Sequence, residues 1–207
     1  MLGPLSAIAG PRQPSTKGGL LVTADRLADN GEIDANAVHD EMERARLTFR
    51  RLLEDASPAA LSRPSNGTRW TNRQLLFHML LGYLIVRALL RLVRIFGRAP
   101  DAVSAAYARL LNMGTKPFDV VNYVGSYCGG RVLSRSRMIR MFDGVIAVLH
   151  RRLSSETADD LACGMHYPRR WDPFFKDVMT LADVYHFPTQ HFDFHQRQLS
   201  LDNKGPD

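Results

Sequence analysis

The sequence predicts an all-α fold: an up-and-down four-helix bundle, with an additional helical insertion between the second and third core helices. Three observations support this prediction. Four long stretches repeat apolar residues at three- and four-residue intervals, the spacing that gives a helix one apolar face. Residue types that favour helix N-termini precede these stretches. The chain has 207 residues, of which 45% are hydrophobic, so it can form one core but leaves little room for two full domains.

The predicted bundle domain covers residues 34–201. Residues 1–33 are rich in Gly, Pro, Ser and Thr and lack a sustained apolar period. They therefore predict a disordered, flexible N-terminal arm. Residues 202–207 are predicted to form a flexible C-terminal tail.

The first core helix is predicted from about Ala35 to Ala56, with Asp34 as its N-cap. Pro58 should end the helix, and a loop through Asn66-Gly67 should follow. The other face of this helix alternates acids and arginines. Its apolar stripe contains Val38, Met42, Ala45, Phe49, Leu52 and Leu53.

The second core helix is predicted to begin after Thr71 and to end at Gly97. Thr71 and Gln74 have the spacing of a capping box, in which each side chain accepts a hydrogen bond from a backbone N–H of the first turn. The apolar run from Leu75 to Phe96 is long enough to span a membrane, but it contains His78 and three arginines. Each arginine would cost roughly 2.5–3.5 kcal/mol in hydrocarbon, so we interpret the run as a buried helix.

Basic residues recur on one stripe of this second helix. We interpret the stripe as a solvated or ion-paired face, with anion binding as the less favoured alternative. Its members are Arg87, Arg91, Arg94 and Arg98.

The insertion follows the second core helix. A shorter helix is predicted from Pro100-Asp101 to about Asn112. The segment 116–132 fits either a strand, from its β-propensity, or a buried helix. Glycines near the end of this segment indicate a turn or close packing; they are Gly125, Gly129 and Gly130.

The third core helix is predicted to follow Ser134 or Ser136 and to run to about Leu153. The last core helix begins between Pro173 and Thr180 and continues to about Leu201. Thr180 and Asp183 form a second predicted capping box. Inside the last helix, Pro188 lacks a backbone N–H, which predicts a kink or a break.

Two histidines on the last helix are the candidate metal ligands. His191 and His195 are four residues apart, which places both imidazoles on one helix face, where they suit two ligands of one metal ion. Spacing alone leaves this interpretation balanced against two solvated or core histidines. The predicted third ligand is His78, because it lies in an apolar face of a facing bundle helix. Taken alone, His78 fits a core histidine bonded to a backbone carbonyl better than a ligand, and its conjunction with the pair favours the metal site. Of the other four histidines, His39 lies beside acids on the first helix, His150 is expected to face solvent and His166 lies in a loop. His186 lies on another face of the last helix and could join the site only if Pro188 breaks that helix.

The pattern Trp70-Thr-x-Arg-x-Leu-x-x-His78, followed far downstream by His191-x-x-x-His195, resembles the DinB-like (DinB/YfiT) superfamily of metal-binding four-helix bundles. The resemblance covers roughly residues 35–201. It implies that His78, His191 and His195 bind one divalent metal ion. The segment between Gly97 and Ser134 is longer than a minimal member of that superfamily needs.

Three imidazoles without a carboxylate leave coordination positions for water or substrate, whereas structural zinc sites usually have four protein ligands. Zinc or nickel is the expected metal, with iron as a further possibility. Such a metal lowers the pKa of bound water or activates a thiolate. The candidate residues to support the ligands are Asp193, Gln190 and Gln196, which lie near them in the sequence.

The resemblance implies one of two functions. The first is a metal-dependent transferase or related enzyme, such as an isomerase or hydrolase, that uses a low-molecular-weight thiol such as mycothiol or bacillithiol. Arginines would then hold the carboxylate of the thiol or the substrate. The second is a non-catalytic, stress-related metal-binding bundle. No catalytic residue is assigned beyond the metal ligands.

Composition narrows the expected setting of the protein. Cys128 and Cys163 are the two cysteines and lack Cys-x-x-Cys spacing, which argues against a disulfide scaffold or a cysteine zinc site and favours the cytoplasm. The N-terminus lacks the basic region of a secretory signal. A net charge of +6 permits anionic partners without selecting one. We expect a small-molecule substrate or thiol as partner, neither nucleic-acid binding nor membrane insertion, and a homodimer as one alternative for assembly.

Overall fold

The computed structural model describes residues 34–201, so the predicted arm and tail lie outside the described residues. Within this range the chain forms eight helices and one two-stranded antiparallel sheet. In chain order these are α1 (Ala35–Asp55), α2 (Pro58–Ser62), α3 (Asn72–Phe96), α4 (Asp101–Met113), α5 (Thr115–Val132), α6 (Arg135–Leu153), α7 (Ala158–Ala162), β1 (Gly164–His166), β2 (Val178–Thr180) and α8 (Leu181–Gln196).

Four of these helices form the bundle, which confirms the predicted all-α fold. Both α1 and α3 pack against α6 and against α8, so α1 and α3 lie on one diagonal of the bundle. Each core helix contributes one aromatic ring to the centre. Phe49 stacks on Phe142 with ring centroids 4.3 Å apart, and Tyr83 contacts the Phe142 ring edge-on, with centroids 4.9 Å apart. Phe192 closes this aromatic centre from α8.

The third core helix runs in the same direction as the second. Arg73, at the start of α3, donates to the carbonyl of Leu133 just before α6, at 2.8 Å. Arg152, near the end of α6, donates to the carbonyl of Arg87, farther along α3, at 2.9 Å. This parallel pairing distinguishes the bundle from a simple series of antiparallel hairpins. It follows from the insertion, because α5 carries the chain back along α3 before α6 begins.

The segment with two possible structures, 116–132, is helical. Its glycines serve close packing on α3. A Cβ atom on Gly129 would lie 2.3 Å from the ring of Phe77, and one on Gly130 would lie 2.7 Å from the Cα atom of Gln74. Packing against α3 therefore outweighs the β-propensity of the valines and tyrosines in this segment.

The predicted helix starts are confirmed by their hydrogen bonds. Asp34 caps α1, and the Thr71–Gln74 and Thr180–Asp183 capping boxes are both complete. Ser134, rather than Ser136, caps α6. Each cap satisfies backbone N–H groups that the first helical turn leaves without a partner.

Other predictions were wrong in detail. The predicted loop after α1 begins with the short helix α2, because Ser57 caps it and Pro58 occupies its first turn. The last helix ends at Gln196 rather than near Leu201. There the chain turns away, and the Ser200 N–H donates to Oδ1 of Asn72 at 3.0 Å. The helix does not break at Pro188 and runs through it.

Among the described helices, α3 alone has the length and hydropathy to cross a membrane. It packs against α5, α6 and α8, and half of its most apolar 18-residue stretch is buried. It is therefore the central helix of the bundle. Two members of the arginine stripe are ion-paired: Arg94 with Glu156, and Arg98 with Asp160 at 2.9 Å.

Candidate metal centre

Three histidines meet where α3 and α8 cross. The Nε2 atom of His78 lies 3.1 Å from Nε2 of His191 and 3.2 Å from Nε2 of His195. His78 and His191 are 5% and 8% exposed, and His195 is partly buried. Their ligand atoms all lie within 4.8 Å of one another, a grouping that could hold a metal ion. The structure thus brings together the three residues that the sequence singled out.

Local sequence explains how these rings fit together. Because α8 presents His191 and His195 one turn apart, both rings point at the same turn of α3. Gly82 follows His78 by one turn, and a Cβ atom there would lie 3.2 Å from Cδ2 of His191. This glycine therefore leaves the space that the His191 ring occupies. On the other side, the Trp70 ring covers His78 with centroids 4.5 Å apart.

Each outward ring nitrogen has its own partner. Nδ1 of His191 lies 2.9 Å from a carboxylate oxygen of Asp172, and Nδ1 of His195 lies 2.6 Å from Oε1 of Gln198. Both partners are acceptors, so these two nitrogens carry the proton and donate. In a neutral ring with this proton on Nδ1, Nε2 presents a lone pair to the centre of the cluster. Nδ1 of the third ring, His78, lies 3.2 Å from the Ser126 hydroxyl.

The expected supporting residues were wrong. Asp193 forms a two-pronged ion pair with Arg44, both contacts at 2.9 Å. Gln190 is exposed, and with Gln196 it lines an open surface hollow of about 470 Å³ that includes no histidine of the cluster.

The residues that do contact the histidine ligands differ in whether the sequence could have identified them. Gln198 could have been found, because it follows His195 at the three-residue spacing of helix neighbours. Asp172 lies in the loop before β2, and Ser126 lies on α5, whose secondary structure the sequence left open. Only the tertiary fold brings those two side chains to the cluster.

Burial keeps two of the three rings neutral. Burial, followed by the neighbouring His191 and His195, lowers the pKa of His78 well below its usual value. Burial also lowers the pKa of His195 to about 3, with His191 adding to the effect and the Gln198 hydrogen bond opposing it. Both rings are therefore neutral at pH 7, the protonation state in which imidazole binds metals.

The hydrogen bonds available to the three inward ring nitrogens fit a bound cation. Of the three inward Nε2 atoms, those of His191 and His195 lack a proton, and only His78 can supply one. One N–H cannot satisfy two neighbouring lone pairs fully, so protein groups alone leave an acceptor without a donor. A divalent metal ion accepts all three lone pairs at once. The residues present therefore suit a metal, and within the described residues the group contains no carboxylate.

The remaining histidines have other partners. His186 contacts Glu41 at 2.7 Å, and His166 lies 3.1 Å from Asp101. His39 and His150 stack with centroids 4.8 Å apart. His150 is half-buried in this stack, so its expected position facing solvent was wrong.

The arginine stripe lies away from the cluster. Arg94 is roughly 24 Å from His78 along the axis of α3, at 1.5 Å per residue. Its pairing with Glu156 belongs to the opposite end of the bundle. The end of the stripe that includes Arg94 and Arg98 therefore does not supply an anion-binding arginine to the three histidines.

Comparison with known proteins agrees with this geometry. The family model of the DinB superfamily matches residues 41–199, a range that includes all three histidines. No curated protein and no solved structure gives a significant match. A match over most of the chain, on a helical bundle with a buried three-histidine group, shows that this chain belongs to the DinB superfamily.

Proposed function

We propose that the protein is a metal-dependent enzyme that acts with a low-molecular-weight thiol, as a transferase or a related enzyme. The observation that carries the proposal is the convergence of three imidazole Nε2 atoms without a carboxylate among them. His78, His191 and His195 would hold the metal. When bound, the metal would act as a Lewis acid that lowers the pKa of a coordinated thiol or water.

The chain itself would fix the geometry of this centre. Asp172 holds the His191 ring through its Nδ1 proton, and Gln198 does the same for His195. Hydrogen bonds of this kind orient a ligand ring and raise its basicity. Trp70 covers His78 and limits the access of water from that side.

The donor set supports an open centre. Structural zinc is usually closed by four protein ligands, whereas three protein ligands are typical of catalytic sites. Imidazole nitrogens suit zinc and nickel, and iron(II) also accepts them. The thiol requirement rests on membership of the superfamily, and the net charge of +6 is compatible with an anionic cofactor.

A binding and turnover assay tests this proposal. Untagged protein loaded with zinc or nickel is titrated with mycothiol, bacillithiol and glutathione, and consumption of each thiol is followed with an electrophilic acceptor. We expect saturable binding of at least one thiol, and its loss in His195→Ala. His186→Ala is the matched control, because His186 lies on the same helix but contacts Glu41. A metal-loaded protein that neither binds nor consumes any of these thiols would contradict the proposal.

A second candidate is a non-catalytic metal-binding bundle with a role in stress responses. Burial of the cluster favours it, since His78 and His191 are less than a tenth exposed. Two surface hollows, of about 470 and 510 Å³, are lined by other residues. This candidate predicts metal binding and stabilisation without any saturable dependence on a thiol, so the same titration distinguishes the two.

A further inference from the structure

The outer face of α5 is unusually apolar. Of the twelve large hydrophobic side chains that are exposed among the described residues, nine belong to α4 and α5. Six of the nine lie on α5, at spacings that place them along its solvent side. They define the α5 apolar face: Val120, Val121, Tyr123, Val124, Tyr127 and Val132. A contiguous exposed apolar surface of this kind marks a binding site in a folded protein.

The exposed charges of α5 have one sign. On α5 itself, which is described throughout, Lys116 and Arg131 are exposed and no carboxylate is. The acid of this helix, Asp119, is partly buried, and burial raises its pKa.

We propose that the α5 apolar face docks onto an anionic lipid surface. Valine and tyrosine side chains would enter the boundary between headgroups and acyl chains, where tyrosine is favoured. Lys116 and Arg131 would contact anionic headgroups from either end of the face. Arg131 already lies over the Tyr127 ring, 5.0 Å from its centroid, so cation and ring would reach the surface together. The helix lies on the membrane in this arrangement and does not span it.

Other occupants fit less well. A second copy bound through the same face would bring Lys116 and Arg131 against the same cations, with no exposed carboxylate on α5 to neutralise them. A nucleic acid would match the charge, but it offers no apolar surface that could bury Val121 and Val124, which are 69% and 48% exposed. A lipid surface matches both properties.

Co-sedimentation of the full chain with vesicles tests the proposal. One vesicle is phosphatidylcholine alone, and the other contains equal parts of phosphatidylcholine and phosphatidylglycerol. We expect binding to the anionic vesicles that weakens with added salt, and binding to the neutral vesicles at least about tenfold weaker.

Matched variants separate the apolar contribution to vesicle binding from the contribution of charge. The double variant Val121→Glu/Val124→Glu should lose at least about tenfold in vesicle affinity, and Lys116→Glu/Arg131→Glu should lose a similar amount. Leu47→Glu on α1 is the apolar control, because Leu47 is 45% exposed; Arg51→Glu is the charge control. Thermal unfolding confirms that each variant is folded.

A second readout uses the unmutated face. Cys128 is exposed on α5, so an environment-sensitive fluorophore attached there, in a Cys163→Ala background, should shift to the blue on addition of anionic vesicles.

Four results would overturn the proposal. The first is the absence of vesicle binding at low salt, and the second is binding that the Val121→Glu/Val124→Glu variant retains. The third is a dimer that this variant dissociates, without vesicle binding, which would assign the face to a second copy. Binding to duplex DNA that only the charge variant loses would likewise assign the surface to nucleic acid.

Discussion

Two buried polar clusters lie at opposite ends of α3 and differ in how they are completed. At one end Glu156, 1% exposed at its side chain, forms an ion pair with Arg94 and accepts a hydrogen bond from the Tyr185 hydroxyl at 2.8 Å. Arg94 neutralises its charge, and Oε2 of Glu156 is left without a hydrogen-bond partner. At the other end His78, His191 and His195 direct Nε2 atoms at one another with one proton at most among them. The first cluster serves stability, and the second could hold a metal ion.

Metal removal should give the largest effect. Metal at a thousand times its Kd stabilises the folded state by about 4 kcal/mol, which corresponds to a melting temperature roughly 8–16 °C higher for a chain of this size. Thermal unfolding with and without a chelator measures this shift. His78→Ala should melt at the same temperature in both conditions. A chelator-induced shift that persists in His78→Ala would show that the metal binds elsewhere.

Breaking the charged cluster should destabilise the protein without changing its response to metal. Glu156→Ala removes the partner of both Arg94 and Tyr185, and we expect a loss of about 3 kcal/mol from the free energy of unfolding. Denaturant titration measures the loss. Glu54→Ala is the control, because its ion pair with Arg50 is largely exposed and should contribute less than about 1 kcal/mol. Equal losses in both variants would contradict the comparison.

Much of this architecture was predictable from sequence. The long helices follow from apolar periodicity, and their starts follow from capping side chains such as Thr71 and Thr180, because both signals are local. The direction of α6 could not be predicted, since a helical pattern carries no information on which end of the bundle it starts from. The end of α8 depends on the hydrogen bond between Ser200 and Asn72, which are far apart in the chain.

The residues of the metal site likewise divide into those that the sequence predicts and those that only the fold brings together. The pair His191 and His195 was visible from a four-residue spacing, and His78 from its place on an apolar helix face. Asp172 was not visible, because a loop residue acquires its partner only when the chain has folded. The helical state of α5 was undecided for a related reason: its glycines at 129 and 130 matter only against Phe77 and Gln74.

The contact between Asp172 and His191 offers a finer test of the metal cluster. Asp172→Asn replaces the carboxylate that accepts the Nδ1 proton, and we expect metal affinity to fall by about 10- to 100-fold. Competition with a chromophoric chelator measures this. Asp193→Asn is the matched control, because Asp193 pairs with Arg44 at the surface and should leave the affinity unchanged. If both variants bind metal as tightly as the unmodified protein, Asp172 does not support the ligand.

The stacked pair His39 and His150 should give the smallest effect. Burial, followed by the charge of His39, lowers the pKa of His150 below its usual 6.5. The unfolded chain therefore binds more protons near that pH, so this contribution to stability is present above about pH 6.5 and is lost as the pH falls. His150→Leu should flatten the decline in unfolding free energy over that window. A decline as steep as in the unmodified protein would remove His150 as its cause.

The central claim is that three histidines hold one metal ion. Elemental analysis of protein purified without a histidine tag tests it most directly, beside His78→Ala, His195→Ala and the control His186→Ala. We predict about one divalent metal per chain in the unmodified protein and in His186→Ala, and nearly none in the other two. Unchanged metal content in His78→Ala and His195→Ala would contradict the claim.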